Sequence, residues 1–383
     1  MADARDTATL ASRSGEIEPL VGRLRELAES ERIAPARLRE IVVALFAALG
    51  LPRDDAAIAA EVALYAQLAG SDSHGLVHLP LYVTGLLDRT IHADPPLRID
   101  RNLACTARID GGGGLGLVVS RRAMDLAIEL AQTHGVGAVA VRNSSHFGAA
   151  GYYGDLAARR GMIGLAMSNA APAIAPTDGV TPLLGTNPIG AGVPLGATEP
   201  MVLDMATAMV ARSRIRQSLA AGQAAIPEGW ALDAAGDPTT DAKAAIAGSV
   251  LPIGGAKGYG LAALVEFLCS ALADGEPGFE ITYENVVRRP SGIGHFFLAM
   301  NPAGFAGAEP FRRRADHIAS VIETSKRRAG QAGSPRLPGR RAQDSRRHSL
   351  AAGIPVGANL KSALLQTAGL LEKRAHDVPG PSA

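Results

Sequence analysis

The 383-residue sequence is short of several residue types, and each shortage argues against a class of protein. It has only two cysteines, Cys105 and Cys269, and neither has a CxxC or Cys/His neighbour, which argues against a disulfide framework and a zinc knuckle. Aromatic residues make up only 4%, so the core must be built from aliphatic side chains. Lysine and arginine number 38 against 37 acids, whereas a general nucleic-acid binder needs a dominant basic face.

The sequence also lacks a long uninterrupted apolar run. Residues 1–20 are polar and charged, without the apolar stretch of a signal peptide. The most apolar stretch, residues 260–273, is interrupted by Glu266 and falls short of the ~20 apolar residues that span a bilayer. We therefore expect a cytoplasmic protein with no membrane association and no nucleic-acid partner.

The hydrophobic fraction of 47% is enough for one large or two moderate domains. Apolar spacing predicts one helix stopped by Gly50 and a second helix from Asp54, as N-cap, to Gly70. Residues 1–33 are polar, and we expect an extension that buries little, with a short helix over 20–31. The remaining chain is divided into a helical region with a histidine loop that packs with the C-terminal part (34–110), a core (111–300), a C-terminal helical region (301–375) and a tail (376–383).

Three later stretches have a distinctive composition. Glycine and proline recur every few residues between 170 and 200, which favours an irregular, ligand-lining segment. After Gly254-Gly255 the spacing predicts a helix whose inward residues are Leu261, Leu264, Val265, Leu268 and Leu272. Residues 312–348 hold eleven lysines and arginines against three acids. Because stacking aromatics are absent there, we interpret this excess as a solvated surface rather than an RNA-binding site.

The run GGGGLG at residues 111–116 has the G-x-G-x-x-G spacing of a dinucleotide-binding loop. Glycines let a backbone approach a pyrophosphate, and the following helix adds positive charge at its N-terminus. A single match is weak evidence in a chain with 44 glycines, and the next strand ends in Arg142-Asn143 rather than in an acid for the ribose. We interpret the run as a tight turn, with a Rossmann fold and Arg142 at a 2′-phosphate as the alternative.

Two of the nine histidines, His74 and His146, lie in polar loops beside serine and glycine. Hydride transfer at C2 of a small acid requires a proton to move on the adjacent oxygen or nitrogen. An imidazole with a pKa near ~6.5 is the natural acid or base for this step at neutral pH. A surface or structural histidine is the usual alternative, but hydroxyls that can orient the ring favour a catalytic role.

Several motifs carry a resemblance to a known family. They are SHG at 73–75, NSSHFG at 143–148, LGTNP at 184–188, LDMAT at 203–207, PEGWALD at 227–233, GGAKGYG at 254–260, GHFF at 294–297 and LPG at 337–339. With these motifs the chain resembles the malate/L-lactate dehydrogenase family, which also contains ureidoglycolate and sulfolactate dehydrogenases, diketogulonate reductase and reductases of cyclic imino acids. The resemblance runs from about residue 34 to about residue 374.

The resemblance implies an NAD(P)-dependent oxidoreductase that interconverts a small 2-hydroxy acid and a 2-oxo acid. It implies an α/β fold other than Rossmann, with a largely antiparallel sheet surrounded by helices and with NAD or NADP bound in the 111–300 core. It also implies a homodimer with the active site near the subunit interface. The catalytic residues would be His74, His146 and Asp204; we favour His74 for proton transfer and His146 for orientation. Cofactor contacts would fall at Ser168, Thr186, Asp204, Met205, Ala206, Lys257, Pro338 and Gly339.

The residue types at two of these positions suit such roles. Lys257, in a turn with glycines on both sides, can supply positive charge to a phosphate. Asp204 lies between apolar Leu203 and Met205, where burying an unpaired carboxylate would be costly. We expect it to pair with a histidine or with ribose hydroxyls, and a helix cap is the structural alternative. No metal site is expected.

The chain departs from the family pattern where two common arginines are replaced by Ala69 and His78. The second arginine is a natural clamp for a substrate carboxylate. We expect substrate contacts from Ser73, His78, Arg142 and Asn187, with Arg142 or backbone amides holding the carboxylate if His78 does not. Asn187, before a proline, is a turn former first and a ligand second. A reductase of a cyclic imino acid such as Δ1-piperideine-2-carboxylate and a non-catalytic nucleotide-binding relative remain alternatives.

Overall fold

The computed structural model describes residues 14–71, 74–282, 289–330 and 332–376. The helices are α1 Ser14–Glu29, α2 Pro35–Ala48, α3 Arg53–Leu68, α4 Leu79–Leu87, α5 Gly116–His134, α6 Ala150–Arg159, α7 Arg212–Ala220, α8 Ala242–Ala247, α9 Ala256–Cys269, α10 Ala308–Glu323, α11 Arg340–Ala352 and α12 Ala358–His376. The strands are β1 Arg32–Ile33, β2 Arg98–Leu103, β3 Thr106–Asp110, β4 Val136–Ser144, β5 Ile163–Ser168, β6 Ile189–Val193, β7 Met201–Met205, β8 Ala231–Leu232, β9 Pro238–Thr239, β10 Ser249–Val250, β11 Ile293–Met300 and β12 Ile354–Pro355.

The main sheet has seven strands in the order β2-β3-β4-β11-β5-β6-β7. Strands β3 and β4 are parallel, and the five other neighbouring pairs are antiparallel. Helix α5 packs on β4 and β11, and α6 packs on β5, β6 and β7. The expected α/β fold with a largely antiparallel sheet surrounded by helices is confirmed.

The glycine run at 111–116 connects β3 to α5 as a tight turn. Its N–H groups at 111, 112, 113, 114 and 116 donate to Arg142 O, Asp110 Oδ1, Asn143 O, Gly111 O and Ser145 Oγ, at 2.8–3.1 Å. Because these donors are used within the protein, they are not available to a pyrophosphate. The interpretation as a turn holds, and the Rossmann alternative is wrong.

The two ends of the described chain pack together. Leu20, Leu24 and Leu27 of α1 are buried, α1 packs against α12, and β1 pairs with β12. The leucine spacing of three to four residues gives α1 an apolar stripe that α12 covers. The expectation that residues 1–33 bury little is therefore wrong from Ser14 onward. Helix α12 also contacts α4 and the 3₁₀ turn Leu76–His78.

Helices α2 and α3 form where the apolar spacing predicts them, with two local corrections. Asp54 lies in the first turn of α3, whose N-cap is Pro52, so the assignment of Asp54 as the cap is wrong. Strand β6 crosses the 170–200 segment, which we expected to be irregular throughout. The first is a local shift at a helix end, whereas β6 forms by pairing with β5 and β7, which local propensity does not encode.

Helix α9 buries a different face from the expected one. Val265 and Glu266 are buried, whereas Leu264, Phe267 and Leu272 are 52%, 69% and 58% exposed. The expected inward orientation of Leu261, Leu264 and Leu272 is wrong. Within the described residues, Ala256–Ala273 is the one segment long and apolar enough to cross a membrane; this is weak evidence, because core helices of soluble proteins meet the same test.

The main sheet and a second core also bear on the expected division of the chain into domains. Strands β2 and β3, which we placed in the 34–110 helical region, belong to the main sheet. A second, smaller core joins α7 and α8 to a three-stranded sheet of order β10-β8-β9. The domain boundaries after residues 110 and 300 stay predictions.

Candidate active site

Three histidines and a tyrosine meet beside the end of α3. His74 lies in the loop after α3, His78 ends the 3₁₀ turn, Tyr82 lies in α4, and His146 follows β4. The ring centroid of His146 lies 4.5 Å from that of His78, 6.1 Å from that of His74 and 5.8 Å from that of Tyr82. The structure thus brings the two predicted histidine loops together; Ser73 lies outside the described residues.

Hydrogen bonds fix the proton arrangement of the His146 ring. The Tyr82 hydroxyl lies 2.7 Å from Nδ1, and the Gly148 N–H donates to the same nitrogen at 3.3 Å. A backbone N–H can only donate, so Nδ1 accepts and carries no proton. The neutral ring therefore carries its proton on Nε2. Gly148 has a φ of 79°, a conformation that glycine adopts without strain.

Burial favours the neutral form of His74 and His146. It lowers the pKa of His74 below its ordinary 6.5. The pKa of His146 is lowered further, first by burial and then by repulsion from His78 and His74 when they are charged. At neutral pH, both His74 and His146 can therefore accept a proton from a substrate hydroxyl or donate a hydrogen bond from a ring N–H.

A second buried imidazole, His295, supports the His146 loop. Phe147 stacks on its ring at 4.8 Å, and its two nitrogens lie 2.9 Å from the hydroxyls of Ser168 and Ser144. Burial lowers the pKa of His295 to about 3. Ser168, expected at the cofactor, is only 4% exposed and also bonds to backbone carbonyl oxygens. We assign the Ser168 side chain to this buried network rather than to direct cofactor contact.

Asp204 lies near the end of the edge strand β7, against the first turn of α6. The Gly151 N–H donates to its carboxylate, which is the helix-terminal arrangement expected as the structural alternative. Within the described residues, no hydrogen bond or ion pair joins it to a histidine. Asp204 is exposed by surface area, but the protein around it partly desolvates the carboxylate and raises its pKa from 3.8 to about 6.

The Pro338-Gly339 loop packs on the same strand. The Val202 N–H donates to the Pro338 carbonyl at 3.3 Å. A Cβ at Gly339 would lie 2.7 Å from the Val202 carbonyl oxygen, so only glycine allows this approach. The Pro338-Gly339 loop and the Asp204–Ala206 stretch, both expected at the cofactor, are therefore neighbours.

Thr207, which is fully buried, joins three segments that we expected at the cofactor. It follows Met205 and Ala206 in the chain, and its N–H and hydroxyl both donate to the Thr186 carbonyl at 2.9 Å. The Thr207 carbonyl accepts from the Ile253 N–H at 2.9 Å, immediately before the Gly254-Gly255 turn that leads to Lys257. One buried residue, through its backbone and its hydroxyl, thus joins the Thr186 loop, the end of β7 and the lysine turn.

The lysine turn is suited to a phosphate group. Lys257 is exposed in the first turn of α9, and a Cβ at Gly254, Gly255 or Gly260 would meet no atom within 4 Å. An ammonium group, a helix N-terminus and an open glycine backbone fit the pyrophosphate of a dinucleotide, and the Asp204 carboxylate fits its ribose hydroxyls. These residues therefore fit NAD or NADP.

Two of the residues expected to bind the substrate form hydrogen bonds to other protein groups instead. The Arg142 guanidinium bonds to the carboxylates of Asp110 at 3.2 Å and Asp274 at 2.7 Å. Asn187 has no exposed surface, and its amide donates to the Ala262 carbonyl at 2.9 Å and to Glu266 at 3.1 Å. Neither side chain is placed to clamp a substrate carboxylate; of the other two expected ligands, His78 lies in the histidine cluster and Ser73 lies outside the described residues.

Sequence reasoning missed two residues that support the cluster, and only the first of them had a local signal. Tyr82 lies four residues after His78, the spacing that places side chains on one helix face. His295 lies in the GHFF motif, but a buried support role has no local signature. Among the described residues, no group of three or more His, Cys, Asp or Glu side chains is arranged to hold a metal ion.

Comparison with known proteins settles the family. The family model described as "Malate/L-lactate dehydrogenase" matches residues 33–365. This chain belongs to that family. The L-sulfolactate dehydrogenase of Methanocaldococcus jannaschii is 41% identical over 77% of this chain and 85% of its own length. The (2R)-3-sulfolactate dehydrogenase (NADP(+)) of Chromohalobacter salexigens is 38% identical over 84% and 92% of the two chains.

A solved structure of a malate dehydrogenase has the same fold. The malate dehydrogenase of Pyrococcus horikoshii superposes with a TM-score of 0.81 at 32% identity, covering 91% of this chain and 97% of that one. The chain is thus an oxidoreductase of the malate/L-lactate dehydrogenase family that interconverts a 2-hydroxy acid and a 2-oxo acid with NAD or NADP. The function expected from the sequence motifs is confirmed at this level.

Proposed function

We propose that the substrate of this enzyme is a 2-hydroxy acid with a second acidic group, of the 3-sulfolactate or malate type, together with its 2-oxo partner. The observation that carries the proposal is the cluster of His74, His78, His146 and Tyr82, whose His146 loop is supported by the stacking of Phe147 on the buried His295 ring. The names of the relatives supply the substrate class, since sulfolactate and malate both carry a second anionic group.

Each residue of the cluster has a distinct task. When bound, NAD(P) supplies or accepts the hydride at C2. In oxidation of the hydroxy acid, His74 takes the hydroxyl proton as the C2–O bond becomes a carbonyl; in reduction it returns the proton. His146 donates a hydrogen bond from Nε2–H to the same oxygen, and Tyr82 holds the His146 ring at Nδ1.

We assign binding of the substrate carboxylate to His78. Its ring centroid lies 4.5 Å from that of His146, and Arg142, the other candidate, is paired with Asp110 and Asp274. An imidazole attracts a carboxylate strongly only when it is protonated. Affinity for the 2-oxo acid should therefore fall as pH rises, unlike the pH-independent clamp that an arginine would provide.

The enzyme is also proposed to be a homodimer in the cytoplasm, with α9 at the subunit interface. Five large apolar side chains of α9 and the turns after it are exposed, namely Leu261, Leu264, Phe267, Leu272 and Phe279. A cluster of this kind is typical of a protein–protein interface. Because Lys257 lies in the first turn of α9, a dimer formed there would place the interface next to the cofactor. Phe267→Glu should yield monomers in light scattering at micromolar concentration; a wild type that is itself monomeric would refute the dimer.

The decisive test is a substrate screen followed by NADH or NADPH absorbance. We expect kcat/KM for sulfopyruvate or oxaloacetate to exceed that for pyruvate, which lacks the second acidic group. Faster turnover of Δ1-piperideine-2-carboxylate would favour the cyclic imino acid alternative instead. Cofactor binding without turnover of any member of the panel would identify a non-catalytic relative.

A further inference from the structure

Glu266 is a buried carboxylate on the inner face of α9, 7% exposed. Its Oε1 accepts from the Asn169 side-chain amide at 3.1 Å and from the Gly278 N–H at 2.6 Å, and its Oε2 accepts from the Asn187 amide at 3.1 Å. In the part of the chain that the structure describes, it forms no ion pair with lysine, arginine or histidine. Three N–H donors therefore stabilise this negative charge in place of a cation.

The three donors come from three separate segments. Asn169 directly follows Ser168 and accepts from the Gly294 N–H at 2.8 Å, which ties the end of β5 to the start of β11. Asn187 directly follows Thr186, whose carbonyl is held by Thr207. The third donor is the backbone of the turn Gly278–Glu280. One carboxylate thus fixes α9, which carries Lys257 in its first turn, relative to the loops after β5 and before β6.

The carboxylate cannot be replaced by an amide without conflict. Both oxygens of Glu266 accept N–H bonds, so a glutamine in this position would direct its own NH₂ group at an N–H donor whichever way it is turned. Either the buried donors lose their acceptor or the loops shift away from α9. The change is nearly isosteric, so it removes the hydrogen bonds without creating a cavity.

We propose that Glu266 is a positioning residue for cofactor binding, which it serves by fixing Lys257 and the Thr186 loop in their relative places. The inference rests on the proposed cofactor contacts of Lys257 and Thr186. The proton-transfer cluster of His74 and His146 makes no hydrogen bond to Glu266 among the described residues. Loss of the carboxylate should therefore weaken cofactor binding and leave the chemistry of bound substrate largely intact.

The test is Glu266→Gln, with cofactor KM, 2-oxo acid KM and the kcat–pH profile measured side by side. We expect the cofactor KM to rise about tenfold or more, as for a lost hydrogen bond to a charged group, with kcat changed less and its pH dependence unchanged. Asp55→Asn is the matched control. Asp55 is also a buried carboxylate, 6% exposed and bonded to Arg122 at 2.6 Å, at the end of the 16-residue α3 remote from His74.

An unchanged cofactor KM in a folded Glu266→Gln enzyme would overturn the proposal, as would an equal rise in the Asp55→Asn control. If Glu266→Gln does not fold, Glu266→Asp keeps the charge but shortens its reach, and the same selective rise in cofactor KM is required of it. A wild type that neither binds nor oxidises NADH or NADPH would refute the proposed function itself, whereas an active wild type with an unaffected variant would refute only the role of Glu266.

Discussion

Replacing His74 and His146 in turn by asparagine should separate their two roles. His146 already accepts two hydrogen bonds at Nδ1, so it can offer the substrate only its Nε2–H. Losing that one bond to a developing charge costs about 1.5–3 kcal/mol, or about 10–150-fold in kcat. Losing the proton-transfer residue costs about 10²–10⁴-fold and also removes the ionisation on which the rate depends.

The pH profile distinguishes the two roles where the size of the effect cannot. Burial lowers the pKa of His74, so the limb of the kcat–pH profile that reports this ionisation should have its midpoint below pH 6.5. In hydroxy-acid oxidation the neutral ring accepts the proton, so kcat should fall as pH drops through that pKa. In 2-oxo acid reduction the protonated ring donates, so kcat should fall as pH rises through it. His74→Asn should abolish this limb, and His146→Asn should preserve it at a lower rate.

The assay is kcat at saturating substrate and cofactor from about pH 5 to about pH 9, in both reaction directions. Circular dichroism and thermal melting of each variant control for folding. If His146→Asn loses the limb and His74→Asn keeps it, the roles are reversed. If both variants retain wild-type kcat and an unchanged profile, neither imidazole transfers the proton and the mechanism is wrong.

Four further predictions use the same assays. Tyr82→Phe removes the 2.7 Å bond to His146 and should lower kcat about tenfold with little change in cofactor KM; an unchanged kcat would show that the bond does not orient the ring. Lys257→Ala should raise cofactor KM more than it lowers kcat, and unchanged cofactor affinity would contradict its assignment. His78→Arg should make the KM of the 2-oxo acid less dependent on pH, and a pH dependence that persists would exclude His78 as the clamp. Because the pKa of Asp204 is raised, its contribution to stability is full below pH 3.8 and is lost as pH rises through about 6. Asp204→Asn should therefore flatten the pH dependence of the unfolding free energy over that interval. An unaltered dependence, measured by urea denaturation, would refute this.

The sequence is informative about the site where its residues are close in the chain. His74, His78 and Tyr82 follow one another at spacings of four residues, so a loop followed by a helix places them side by side. The motif resemblance then identifies His146 as the partner from a distant loop. The contact between Pro338-Gly339 and β7 has no local signal; the family resemblance predicted only that both segments lie at the cofactor.

The errors concern long-range packing. Arg142 has no acidic residue close to it along the chain, but the parallel register of β3 and β4 places it opposite Asp110. Helix α1 has an apolar stripe that packs mainly against α12, more than 300 residues later. The same limit applies to α9, where composition does not distinguish a leucine that faces the core from one that faces a partner.

The packing of α12 against the Leu76–His78 turn has a consequence for the order of synthesis. The histidine cluster is encoded within residues 74–146, but the helix that supports one of its sides is the last element that the structure describes, at Ala358–His376. During translation the cluster therefore exists for most of the time without its full support. Final assembly of the site has to wait for α12, so fragments that end before α12 should carry an unfinished active site.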